Sequence, residues 1–241
     1  MAVMTTKTVR EVAVGNPAAT RVFEKFGIDY CCGGNQGLEQ ACAVAGASLN
    51  QVLDALEMEE ETARAAQQVR DWKNELLSEL VVHIKSTHHK YTRQEIVRLT
   101  ALLQKVCSVH GNNHPEVLEI QATFRDLAQE LTTHMMKEEM VLFPYIVRME
   151  ESVIQKEPVL PAPFGTMAKP VAMMEHEHDS AGTALRAIRK ASSDFVAPAD
   201  ACVSYETLYK ALEAFEADLH QHIHLENNIL FPRAIAMERA H

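Results

Sequence analysis

The sequence predicts an all-α protein: a four-helix bundle preceded by a small helical domain. Three observations predict it. The stretch HMMKEEMVLFP, from His134 to Pro144, is repeated as HIHLENNILFP, from His222 to Pro232, and both read His-x-x-x-Glu-x-x-x-Leu-Phe-Pro. Each copy has a histidine upstream at nearly the same distance: His89 lies 45 residues before His134, and His178 lies 44 before His222. That spacing suits a helix, a connection and the start of a second helix, so two copies make two helical hairpins. The nine glycines and nine prolines fall mostly between periodic stretches, as in an all-helical chain.

In chain order, residues 1–60 read as short helices. Asn16-Pro17 suits a helix start, with asparagine as cap and proline in the first turn. The helix ATRVFEKF should stop at Gly27, which tolerates the left-handed conformation that closes helices. IDYCCGGNQ comes next as a tight loop in which Cys31 and Cys32 precede two glycines that allow close backbone approach. Helices GLEQACAVAG and SLNQVLDALE, the latter capped by Ser48, complete a segment too small for much of a core, which should dock on something larger. Residues 61–71 are charged and alanine-rich and read as a linker.

From 72 to 241 the pattern is amphipathic. Leu76, Leu77, Leu80, Val81 and Ile84 recur at three and four, starting from Trp72. This element carries His83, His88 and His89 and continues with a bend to Gly111-Asn112-Asn113. Pro115 restarts a long helix bearing the first copy, whose Pro144 should kink the helix or limit its length. Residues 155–170 form a proline-rich loop, a helix from about 171 carries His176 and His178, and a last long helix after Pro198 carries the second copy.

Residues four apart share a helix face. His134 with Glu138, and His222 with Glu226, therefore each aim an imidazole and a carboxylate at one point, on a stripe extended by Leu131, Leu142, Leu219 and Leu230. A buried carboxylate without a partner costs roughly several kcal/mol. Two copies in one register call for a shared positive charge, and a metal is the economical one. Imidazole with carboxylate suits iron, with zinc or manganese as alternatives, and carboxylates facing one another across a bundle are a common way to build di-iron sites. The repeat arithmetic selects His89 over its neighbour His88. Met135, Met136, Met140, Met173 and Met174 read as adaptable packing around the site.

Hydrophobic content of 47% supports a sizeable core, and a net charge of −10 disfavours a nucleic-acid partner, which needs a basic face. No apolar run approaches a membrane span and no signal-peptide core opens the chain. Five cysteines make no disulfide framework and suit a reducing compartment, so the expected location is cytoplasmic.

DYCCGG, HMMKEE with LFP, EHD and HIHLENNILFPRA together resemble the repair-of-iron-centres family of the YtfE/ScdA type. The resemblance covers nearly the whole chain. It implies a ScdA-like N-terminal domain joined to a hemerythrin-like bundle. It also implies two non-haem iron ions, bridged by carboxylates and held by His89, His134, Glu138, His178, His222 and Glu226. The expected function is repair of iron–sulfur clusters damaged by nitrosative or oxidative stress, by iron donation more than by conventional turnover, with the damaged iron–sulfur proteins as partners. Nitric oxide binding or reduction at the di-iron centre is the alternative, with nitric oxide or oxygen as small ligands, and a sensing module is a third reading. Cys31 and Cys32 are expected to supply thiol chemistry or pass iron, and homodimerisation is a further implication of the family.

Overall fold

The structure, a computed structural model, describes residues 7–16, 18–66 and 70–241. It is all-α, and among the described residues the only β pairings are isolated bridges. The helices are α1 (Val9–Gly15), α2 (Ala19–Phe26), α3 (Leu38–Val44), α4 (Leu49–Ala66), α5 (Leu77–Ile84), α6 (Lys90–His110), α7 (Glu116–Lys137), α8 (Phe143–Gln155), α9 (Ala168–Ala191), α10 (Val203–Leu225) and α11 (Phe231–Ala240). Among the described residues, three single π-helical turns join consecutive helices without a loop: Lys85–His89, Glu138–Leu142 and Glu226–Leu230. No described helix is long and apolar enough to cross a membrane.

Two compact units emerge, Met1–Leu80 with His220–Ala240, and Val81–Leu219 with the terminal His241. In the first, α1 opens with a capping box in which Thr8 and Glu11 satisfy each other's backbone N–H groups. Asn16 Oδ1 accepts the Ala18 N–H at 3.1 Å, while Pro17 lies outside the described residues. Gly27, at φ 65°, closes α2 in the left-handed region expected of it. Val9, Val12, Val22, Phe23, Leu38, Val52 and Leu56 share one buried cluster, so this segment, expected to be too small for much of a core, has one of its own. Burying a side chain such as Phe23 contributes about 1.5–3 kcal/mol. Helix α4 continues to Ala66, into the expected linker, whose residues 67–69 lie outside those described.

The amphipathic element read from Trp72 becomes helical only at Leu77. Trp72 instead lies under the Arg70 guanidinium, and the Trp72 and Glu75 carbonyls accept hydrogen bonds from Arg233. The Arg233 contacts come from far along the chain, beyond the reach of local periodicity.

In the second unit the long helices carry heptad-like stripes. Along α7 the buried positions include Val117, Ile120, Phe124, Leu127, Leu131 and His134, at alternating intervals of three and four, with Ala128 and Met135 beside them. Along α9 they are Val171, Met174, His178, Ala181, Leu185 and Ile188. The histidines therefore take places on the core seam, and the apolar neighbours that hold the helices together also hold the rings. Farther along the bundle, Phe124 and Phe215 pack edge to face at 5.6 Å.

Candidate metal centre

Within Val81–Leu219 the side chains converge on Glu138, which is fully buried. His89 ends the first π turn and His134 lies one helical turn before Glu138. Both set Nε2 3.4 Å from Glu138 Oε2. His178 on α9 sets its Nε2 3.0 Å from His134 Nε2. Phe143, just past the second π turn, stacks on the His89 ring at 5.7 Å and 20°. The neighbouring His88 turns to Asp218 instead, at 3.0 Å, so the two adjacent histidines have separate partners.

The opposite nitrogens are also committed. His89 Nδ1 lies 2.7 Å from Glu139 Oε1, which Arg93 also bonds at 2.9 Å. His134 Nδ1 lies 2.9 Å from Glu177 Oε2, and Lys137 bonds the other oxygen of that carboxylate. Burial pushes both glutamates up. His89 and Arg93 outweigh it at Glu139, Lys137 and His134 outweigh it at Glu177, and both end below the ordinary carboxylate range. Each ionised carboxylate favours a proton on the Nδ1 it faces, so that whenever His89 and His134 are neutral their Nε2 atoms present lone pairs. Two lone pairs and a buried carboxylate oxygen thus point at one another. Acceptors repel unless a cation stands among them. The facing ligand atoms of His134, Glu138 and His178 all lie within 4.8 Å of one another, so these buried groups fit a metal site.

The second copy of the repeat, in the other unit, has the same local build. His222 Nε2 lies 3.0 Å from Glu226 Oε1, and both side chains are buried. In each copy the glutamate opens a π turn closed by an identical bond, Phe143 N–H to Glu138 O and Phe231 N–H to Glu226 O. The proline just beyond explains the register. Pro144 and Pro232 have no N–H for the carbonyl four residues back and their rings crowd it, which favours the wider turn. Pro144 thus neither ends the helical path nor limits its length, and α8 runs on to Gln155.

The vicinal thiols lie in that same unit. Asp29 Oδ1 accepts the Cys32 and Gly33 N–H groups at 2.9 Å each and the Cys31 thiol at 3.4 Å, and the two sulfurs are 3.8 Å apart. Cys31 is buried and Cys32 partly exposed. The Cys32 sulfur and then burial push the Cys31 thiol well above its usual range, so it stays protonated. Residues that carried no signal in the sequence pattern hold this loop: Asn227 donates to Cys31 O at 3.4 Å, and Asn228 to Tyr30 O at 3.0 Å. Asn228 also meets His224 Nδ1 at 3.0 Å, and burial lowers that histidine to about 4, keeping it neutral. A difference between the two copies could have found them. The two residues after the glutamate are Glu139 and Met140 in the first, where Glu139 serves His89, and Asn227 and Asn228 in the second, where both serve the thiol loop.

Beside His178, His176 and Asp179 are exposed, and Glu177 joins Lys137, Glu130 and Asp126 along a polar cleft between α7 and α9. The methionines divide. Met135 and Met174 are buried, but Met136, Met140 and Met173 are exposed and do not pack the core, because they lie off the heptad seam.

Comparison with known proteins gives a consistent result. The family model for the hemerythrin HHE cation binding domain matches residues 80–234. The ScdA N-terminal model, described as a domain of unknown function (DUF542), matches residues 5–60. A probable iron-sulfur cluster repair protein of Haemophilus influenzae is 33% identical over 93% of this chain and 95% of its own. The iron-sulfur cluster repair protein YtfE of Enterobacter sp. is 36% identical over 95% of this chain and 96% of its own. That of Dickeya chrysanthemi is 35% identical over 96% and 98%.

Proposed function

Because this chain belongs to the repair-of-iron-centres family, whose bundle is of the hemerythrin HHE type, we propose that it holds two bridged non-haem iron ions and restores damaged iron–sulfur clusters in the cytoplasm by donating iron. The observation that carries the reading is the facing of acceptor atoms around Glu138 Oε2, a geometry that repels itself without a cation. The proposed ligands are His89, His134, Glu138, His178, His222 and Glu226, the last two assigned from the repeat and the family rather than from a distance between units. Bound iron would supply exchangeable coordination positions, since six protein ligands leave two metals short of full coordination.

The chain's own residues supply the rest. Glu139 and Glu177 fix which nitrogen of His89 and His134 carries the proton, so that Nε2 is the atom each would offer a metal. The buried helices exclude water from Glu138. Nitrogen and oxygen donors release iron(II) more readily than a cage of thiolates, which suits a donor. The Asp29–Cys31–Cys32 group offers softer ligands for iron in transit, with Cys32 the more accessible sulfur.

The reading is tested by incubating the iron-loaded protein with an enzyme whose [4Fe–4S] centre has been damaged by nitric oxide. Activity should return with the unaltered chain and stay low with a His134→Ala/His222→Ala chain of equal helical content. Equal recovery with both would remove the reading. Recovery that survives in Cys31→Ser/Cys32→Ser would confine the loss to the transit role of the thiols.

A further inference from the structure

A second reactive cluster lies where α6 ends and α10 begins, within the unit Val81–Leu219. Cys202 precedes the first residue of α10, and its carbonyl accepts the Tyr205 and Glu206 N–H groups at 2.9 and 3.1 Å, so it is the helix N-cap. An N-cap side chain ordinarily presents an oxygen to the N–H groups of the first turn. At Cys202 that position is held by a thiol instead. His110, the last residue of α6, places Nε2 3.2 Å from this sulfur, with its ring edge-on to Tyr205 at 5.3 Å.

The other charged groups nearby are paired among themselves. His114 meets both Asp200 oxygens at 3.1 Å and Glu116 at 2.9 Å, and Glu116 also accepts from Tyr205 at 3.2 Å. Asp200 and Glu116 raise His114 above the ordinary imidazole range. That leaves His110 facing the thiol. The Tyr205 N–H first, and then His110, bring the Cys202 thiol down to about 7. Burial moves Cys42 and Cys107 the other way, and Cys107 donates to Val117 O at 3.2 Å. Cys202 is exposed. It is separated from His89 by the length of α6, about 30 Å at 1.5 Å per residue, so it lies apart from the candidate metal centre.

We infer that Cys202 and His110 form a nucleophile–base pair that reacts with hydrogen peroxide and places a sulfenic acid on this face of the bundle. Peroxide is the fitting class of oxidant because it is small and neutral, whereas Asp200, Glu116 and Glu206 would repel an anionic one. His110 takes the thiol proton, and the thiolate attacks one peroxide oxygen. The S–O bond forms as the O–O bond breaks, sulfur is oxidised by two electrons, and the leaving hydroxide receives the proton held on His110. The products are Cys202 sulfenic acid and one water.

The test treats the purified full chain, with its metal, with equimolar hydrogen peroxide and traps sulfenic acid with dimedone, after which peptide mass spectrometry covers all five cysteines. Cys202 should carry about tenfold more label than Cys107. His110→Asn should cut the Cys202 label about tenfold and raise the pH midpoint of its iodoacetamide alkylation from about 7 toward the free-thiol value of about 8.5, with iron retention unchanged. Labelling spread evenly over Cys32, Cys107 and Cys202, as iron-generated radicals would produce, overturns the inference. So does a His110→Asn chain with the original rate and midpoint.

Discussion

Glu139 Oε1 stands 2.7 Å from His89 Nδ1, one residue along the chain from Glu138, whose Oε2 faces Nε2 of the same ring at 3.4 Å. Successive glutamates thus grip opposite edges of one imidazole. Because i and i+1 project in different directions from a helix, the ring must come from another helix, and it does. Replacing Glu139 with leucine removes the acceptor that fixes the His89 tautomer and leaves Arg93 exposed and harmless. Iron affinity should fall about 10–100-fold, and Glu139→Gln, which still offers a carbonyl, should lose less. Chelator competition on the two variants measures this, and wild-type affinity in Glu139→Leu would contradict it.

Pro144 shapes the second π turn, and the turn places Phe143 on the His89 ring. In Pro144→Ala the new N–H can bond the carbonyl four residues back, drawing the turn toward α register. Each residue past the turn would then rotate by about 100° relative to Glu138. The variant should melt at the same temperature or higher, since an interior proline costs about 3 kcal/mol, yet hold less iron. Thermal unfolding and metal analysis on one preparation decide it. Full iron content in the variant would show that the turn is incidental.

Gly34 has no positive φ, so its role in the thiol loop is close approach rather than a left-handed turn. A Cβ there would lie 3.1 Å from Arg10 Cβ, Asn228 Oδ1 and Tyr30 O at once. Gly34→Ala should therefore loosen the loop from Asn228, cost about 1–3 kcal/mol by overpacking, and speed the reaction of Cys31 with a thiol reagent. Urea unfolding and thiol kinetics are the readouts. Unchanged values for both would mean that the neighbours yield easily.

How much of this was legible in the sequence depended on whether the signal was local. The repeat exposed His134 with Glu138 and His222 with Glu226, because i, i+4 spacing is local and was present twice. Gly27 declared the end of α2 for the same kind of reason. The π turns were hidden, since one extra residue in a turn leaves the preceding i, i+4 pair intact and shifts only the residues beyond it. Glu177 and Asn228 act through partners 43 and 198 residues away, on elements whose pairing the sequence did not specify. The exposed Met136, Met140 and Met173 show the reverse error, composition read as packing when, of the five, only Met135 and Met174 are buried.

Acid should separate the metal centre from the fold that carries it. An imidazole ligand binds as the neutral base, so protons compete with iron near and below the ordinary imidazole value of about 6.5. The glutamates behind the rings respond later. Glu139 and Glu177 are lower in the folded chain than in the unfolded one, so the stability they confer is fully present above the unfolded value of about 4.3 and is lost as pH falls through the lower folded value. Both are partly exposed, and solvent screening makes their share of total stability small. Iron should therefore leave between about pH 6.5 and 5 while helical content persists to about pH 4. Metal analysis after dialysis at each pH, alongside far-ultraviolet circular dichroism, distinguishes the two stages. A single transition in which iron and helix disappear together would mean that the metal holds the bundle closed, rather than the apolar seams of α7 and α9.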